Sequence, residues 1–295
     1  MSWTFQNRWR IEVELQSSTP FHIGNGDILD EGRQADRESL ERRRAPTLTD
    51  EQGRRRRVEV STVVTDHRGR PYLPGTALKG AIRSWLLAHL TDPADRCRIE
   101  KVFGSEDTRR TDSVGGIAEF LDAFSVGSPP DQTHVPYADR ERWTGIVASV
   151  AIDRRTRTAY EKKLYHEEYV PPGAKFQVVI TGQNLDEEDV ALILLALDQF
   201  PRKEPDPRRP FGFGGRPGGE ASRALAEQVP EAIRLGAEGH DSSGLFARLG
   251  RPVVKRLLRK DVHAWLAEAR NPSGSMAAYD GFDSVSRDVL LRLET

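Results

Sequence analysis

Arg8 to Gln16 alternates strictly, with Ile11, Val13 and Leu15 on one side and Arg10, Glu12 and Glu14 on the other. That period of two predicts a half-buried strand. The strand runs into Thr19–Gly26 (TPFHIGNG), a glycine-broken turn, and Val58 to Thr65 is β-branched enough to predict a second strand. Between Pro71 and Leu90 the period changes. A turn at Leu73-Pro74-Gly75 is followed by Thr76 as an N-cap hydroxyl, and Leu78, Ile82, Trp85, Leu86 and Leu90 recur at helical spacing. Gly115–Ser125 and Ile146–Ile152 read as strands. Leu164–Val170 and Lys175–Thr181 read as a hairpin about Pro171-Pro172-Gly173. A second packed helix is predicted over Glu187–Phe200, from Val190, Ile193, Leu194 and Leu197. Arg251–Ala269 reads as a basic amphipathic helix, and Val285–Leu293 as helix or strand.

Two strand–helix–strand units in succession predict an α+β, ferredoxin-like (RRM-type) domain, with helices over one face of an antiparallel sheet. It is expected to occupy residues 1–235, with 236–295 a mainly helical extension joined through Gly236–Gly244. Residues 27–57 are highly charged and carry no clean period. They are expected to be an insertion, partly disordered when free.

Composition changes this picture little. Charged residues make up 30% and apolar residues 37%, and a net charge of −1 gives no sign of nucleic acid. The distribution does: Arg42–Arg44, Arg54–Arg57, Arg154–Arg157 and Arg208-Arg209 are basic clusters. A single cysteine, Cys97, excludes an internal disulfide framework and suits a reducing compartment. With no secretory signal pattern and no membrane-length apolar run, a soluble cytoplasmic protein is expected. The glycine-rich stretch from Pro210 to Gly219 lacks the Gly-Lys-Ser/Thr of a nucleotide loop. No zinc spacing and no Gly-x-Ser-x-Gly elbow occurs.

Lys79 and Arg83 stand four apart, one turn inside the helix start. Free N–H groups, the positive dipole end and two cations together make a phosphate site. The same residues also fit a capped amphipathic helix with solvated cations. Aromatics are 7% and no aromatic RNA-binding strand is visible. The candidate RNA groove is therefore shared by His22, Gly24 and Gly26, by Thr76, Lys79 and Arg83, and by Arg154, Arg157 and Thr158. Backbone N–H groups, hydroxyls and cations grip phosphate and sugar without reading bases.

The run Asp66-x-x-Gly-x-Pro-Tyr-Leu-Pro-Gly-Thr-x-Leu-Lys-Gly-x-x-Arg83 resembles the signature of the RAMP superfamily, the RNA-binding subunits of CRISPR effector complexes. Within that superfamily it is most similar to the backbone (Csm/Cmr-type) subunits of type III complexes. Further likeness lies in Thr19–Gly26, in Val102-Phe103-Gly104, and in Ala151–Phe176, with its Ile-Asp-Arg-x-Thr-x-Thr-Ala, Leu-Tyr-x-x-Glu and Pro-Gly-x-x-Phe. The likeness ends near Phe213.

The resemblance implies a subunit that holds guide (crRNA) and target RNA among other effector subunits. It also implies a mobile thumb, which the 27–57 insertion is free to be or not. Such subunits cut target RNA with an aspartate in the loop preceding the strand that leads to Asp66. This chain has Val60 and Ser61 at the matching position, so Asp27, Asp30 or Glu59 would have to supply the acid, with a divalent metal such as Mg2+ if the chain is catalytic. Two other functions remain open: a crRNA-processing endoribonuclease of the same superfamily, and a structural assembly subunit that binds no RNA.

Overall fold

A computed structural model describes residues 5–49, 52–105, 115–152, 159–200, 235, 244–258 and 283–284. The chain opens with β1 (Asn7–Ser17) and β2 (Gly24–Leu29), then α1 (Gln34–Arg42), the short β3 (Thr47–Thr49) and β4 (Arg55–Arg57), and β5 (Val60–Val63). Next come β6 (Tyr72–Leu73), α2 (Gly75–His89), α3 (Pro93–Phe103), β7 (Ala118–Phe120) and β8 (Ala123–Val126). β9 (Gly145–Ile152), β10 (Ala159–Tyr169), β11 (Lys175–Gln183), α4 (Glu187–Asp198), β12 (Phe246–Leu258) and β13 (Asp283–Ser284) complete it. No helix among the described residues is long and apolar enough to cross a membrane.

Two sheets carry the fold. The larger runs β13-β12-β1-β11-β8-β6, with β7 also paired to β11, and its pairings are antiparallel. Strand β1 lies at its middle because its alternation is that of a sheet with one dry face. Trp9, Ile11, Val13 and Leu15 are buried, and so are Phe176, Val178 and Ile180 of β11. Leu78, Ile82 and Leu86 of α2, Ile99 and Val102 of α3, and Val190, Ile193 and Leu197 of α4 close over these residues in one core.

Asp92 caps α3, whose end is turned by Gly104 at φ 90°. Asp186 and Asp189 form a capping box at the start of α4. Arg98 and Lys101 of α3 reach both carboxylates, with Lys101 Nζ 2.6 Å from the fully buried Asp189 Oδ2, which ties α3 to α4.

Four sequence expectations are corrected. Arg251–Leu258 is not helix but the second half of β12, paired with β1 from Asn7↔Leu258 to Ser17↔Phe246. Its apolar residues fit a helical period, but the unpaired edge of β1 offers a full ladder. The rest of the expected C-terminal helix, the Val285–Leu293 element and the Pro210–Gly219 loop lie outside the described residues.

Leu164–Val170 and Lys175–Thr181 form no hairpin. β10 pairs with β9 and β5, whereas β11 pairs with β1, so Pro171-Pro172-Gly173 is a corner between sheets. Gly173 turns it at φ 101°. Gly115–Ser125 is two strands, broken at Leu121-Asp122.

The 27–57 insertion is structured in the described residues. The second sheet, β2-β5-β10-β9, together with α1, encloses a small core of Leu40, Ala45, Val58, Val60 and Ile146. These five apolar side chains come from three separate stretches of chain, so no local period announces them.

Candidate nucleic-acid interface

The turn after β1 is held from beneath. His22 Nδ1–H donates to the Glu168 carbonyl oxygen at 2.7 Å, which directs Nε2 toward Gly24. A Cβ on Gly24 would stand 2.9 Å from that nitrogen, so only glycine lets the turn lie flat against the ring. Gly26 takes φ 85°, and Gly24, Asn25, Gly26 and Asp27 are all exposed. The result is an open backbone ledge with a fixed histidine at its base.

At the start of α2 the expected cap is replaced. Thr76 lies inside the helix, Pro74 is the N-cap residue, and no side chain of the N-cap bonds the first turn. Asp122 does the capping instead, from the break between β7 and β8, accepting the Gly75 N–H at 2.8 Å. A carboxylate beside the positive end of a helix is favourable. It also takes a donor that would otherwise face an anion. Gly75 is required for the approach: a Cβ there would meet the Phe120 carbonyl oxygen at 2.0 Å.

One turn on, Lys79 and Arg83 are half-buried, and Lys79 Nζ donates to the Ala118 carbonyl at 3.3 Å. Burial, and then Arg83, push the Lys79 ammonium below its ordinary value, partly offset by Glu119. Two cations that disfavour one another are a place where an arriving anion gains.

The three candidate acids are spread along the β2–β5 ribbon. Register Leu29↔Val60 brings Asp30 and Glu59 to one end of it. Asp27 lies further back, with its carbonyl oxygen 3.4 Å from Thr62 Oγ1. Asp27 is exposed, and its carboxylate accepts from Asn25 Nδ2 at 2.8 Å. Asp30 is engaged in shaping the turn into α1, accepting the Gly32 N–H at 2.9 Å. Glu59 is exposed just before β5. Among the described residues no three His, Cys, Asp or Glu side chains are grouped to hold a metal. Arg154, Arg157 and Thr158 lie outside the described residues.

A second constellation went unnoticed in the sequence. Glu168 is fully buried, and four partners from three segments meet its carboxylate. The Val63 N–H donates at 3.1 Å and Thr144 Oγ1 at 2.8 Å, while Arg43 Nε and Arg142 Nε stand 3.4 and 3.5 Å away. The same residue holds His22 through its carbonyl, so one position links the ledge to these two arginines. Its place in the Leu-Tyr-x-x-Glu strand was visible in the sequence, but its partners were not. Arg43 is nine-tenths buried. Burial lowers its guanidinium pKa, and Arg142 adds to this against the opposing effect of Glu168. His166, two residues before, is pushed below its usual value by burial.

Arg43 and Arg142 are also in the wall of a cleft of about 1090 Å³ formed by the end of α1, the Asp66–Arg70 turn and the loop from Gln132 to Arg142. Arg42, Arg44, Arg68 and Arg140 complete a ring of six arginines in its lining, which also holds two acids, Asp139 and Glu141.

Against this geometry, the RAMP superfamily model matches residues 14–219, more than half of the chain. The chain belongs to the RAMP superfamily. A RAMP protein has a CRISPR-associated role, generally as an RNA-binding part of an effector complex beside other CRISPR subunits. The match begins inside β1 and takes in the ledge, the α2 start, Glu168 and every residue lining the arginine cleft. No curated protein matches this RAMP chain.

Proposed function

We propose that this RAMP protein is a backbone-type subunit of a type III CRISPR effector complex, holding guide RNA and the duplex it forms with target RNA. The observation that carries the reading is the exposed Gly24–Asp27 ledge, pinned through His22 to Glu168, in a chain whose family match spans it. The ledge presents backbone without base-reading side chains, which suits a subunit that must accept any guide sequence. Support for a ferredoxin-like domain comes from the order β12-β1-β11-β8, with α2 and α3 between the first and second of these strands in sequence and α4 between the third and fourth.

The RNA path runs from the ledge to Lys79 and Arg83. Replacing both cations with Ala should weaken binding about equally for all guide sequences. It should also flatten the salt dependence by roughly 0.7 in log–log slope for each lost single-strand phosphate contact. The measurement is guide-RNA affinity against salt for several unrelated guides. Unchanged affinity and slope would place the path elsewhere, and a complex that purifies without guide-length RNA would sink the RNA-holding role.

For cleavage of target RNA, Asp27 is the acid we assign. It is exposed beside Gly26, whereas the Asp30 carboxylate is engaged in the turn into α1. Asp27 would orient the 2′-hydroxyl, or would help hold a divalent ion such as Mg2+, which would supply Lewis-acid chemistry. In the assembled complex with Mg2+, Asp27→Ala should abolish one specific cut and leave guide binding intact, while Asp30→Ala and Glu59→Ala keep it. Cutting by Asp27→Ala at every wild-type position would remove this assignment.

A further inference from the structure

The arginine cleft is an unusual thing for a chain of net charge −1 to build. Six guanidiniums line about 1090 Å³, and the two acids among them do not neutralise the ring. Asp139 uses one carboxylate oxygen to accept the N–H groups of Glu141 and Arg142, both at 3.1 Å. Glu141 is exposed. Glu168, the one buried acid nearby, is shared between Arg43 and Arg142. Both of those Nε–H groups are spent on that carboxylate, 3.4 and 3.5 Å away, which leaves Arg42, Arg44, Arg68 and Arg140 without it. Like charges held together in this way cost stability unless an anion meets them.

The backbone around the cleft carries its own sign. Among the described residues four non-glycine positions take positive φ, and three of them are Arg44 at 51°, Tyr137 at 49° and Trp143 at 59°. Arg44 and Tyr137 line the cleft and Trp143 follows Arg142 directly. Strained backbone of this kind gathers where a surface is shaped for a ligand. Tyr137 is also half-exposed, an aromatic face at the rim of a basic hollow.

We propose that the cleft is a second RNA site, in which successive phosphates of a single-stranded segment lie along the arginines and one base stacks on Tyr137. The inference rests on the RNA-holding reading above but concerns a different surface, built by the α1 insertion and the Gln132–Arg142 loop. An RNA strand fits better than a lone phosphate compound because six forked cations exceed what one phosphate engages. An aromatic platform beside cations is the usual means of holding unpaired bases. An acidic polypeptide would use the arginines but gain little from the ring.

The test uses the full-length protein and a labelled oligouridylate, with affinity measured across a salt series. Arg42→Gln together with Arg140→Gln changes two exposed side chains, so folding is retained and is checked by thermal melting. Affinity should fall about tenfold or more, with a shallower salt slope. Tyr137→Ala should weaken binding about five- to hundredfold with the slope unchanged, since stacking releases no counterions. The control is Arg55→Gln with Arg56→Gln, on the exposed β4 strand outside the cleft. An equal loss in the control means general charge attraction and overturns the site. Unchanged RNA affinity with lost binding of polyglutamate assigns the cleft to an acidic protein partner and also overturns it. Failure of wild type to bind any RNA defeats the functional reading itself. Loss on replacing Lys79 and Arg83 but not the cleft arginines defeats only this second site.

Discussion

Glu168→Ala should lower the stability of the protein by about 3–5 kcal/mol, the range for removing one partner of a buried ion pair. Its carboxylate is fully buried and takes the Val63 N–H, the Thr144 hydroxyl and the approach of two guanidiniums. Deleting it strands Arg43, already nine-tenths buried and with a pKa lowered by that burial. The cost therefore comes mainly from an uncompensated cation rather than from a lost attraction. Two companion variants separate these terms. Glu168→Gln keeps the shape and one acceptor oxygen, enough for the Val63 N–H with its NH2 turned to the Thr144 hydroxyl, yet it leaves the arginines unpaired, so it should remain well below wild type. Glu168→Leu with Arg43→Met removes the most buried charge pair and should recover part of the loss, with Arg142 and the Val63 N–H still lacking their acceptor. Denaturant unfolding of the three variants is the measurement. A loss under about 1 kcal/mol for Glu168→Ala would show that water reaches the arginines freely and that Glu168 is no hub.

What the sequence displayed of this fold was whatever a local period encodes. The alternation of Trp9, Ile11, Val13 and Leu15 and the helical stripe of Leu78, Ile82 and Leu86 were both legible, because each records one dry face of one element. Choices made between elements were not. Whether Val254 served a helix or a strand depended on the free edge of β1, nearly the whole chain away. Whether β10 and β11 paired with each other depended on which sheet claimed each strand.

The candidate site divided along the same line. The glycines of the ledge could be read because they stand next to one another. Lys79 and Arg83 could be read too, but not that Asp122 would reach across to cap their helix. The arginine cleft was invisible for a stronger reason. Its members come from three stretches of chain, and only Arg42–Arg44 forms a run. Arg68, Arg140 and Arg142 look like ordinary surface charges until folding brings them together.

The insertion offers the other large effect. Leu40→Ala should cost about 2–5 kcal/mol, the range for a fully buried leucine that leaves a cavity. The loss should fall unevenly. Leu40 belongs to the small core with Ala45, Val58, Val60 and Ile146, separate from the main core beneath the large sheet. So few apolar neighbours cannot close over a missing isobutyl group by shifting, and α1 has no other buried side chain to anchor it. Its remaining ties are polar and mostly at the surface, such as Arg57 to Glu41 at 3.6 Å, and exposed pairs of that sort add little. Amide exchange should therefore speed up from β2 through β5 while β1, β11 and α4 keep their protection, since local opening follows the element that lost its contacts. Because the end of α1 and the two residues after it carry Arg42, Arg43 and Arg44 into the cleft wall, oligouridylate binding should weaken in step with that local opening. If exchange instead rises uniformly across both sheets, the two cores unfold as one unit. If α1 keeps its protection, something other than Leu40 holds the insertion down.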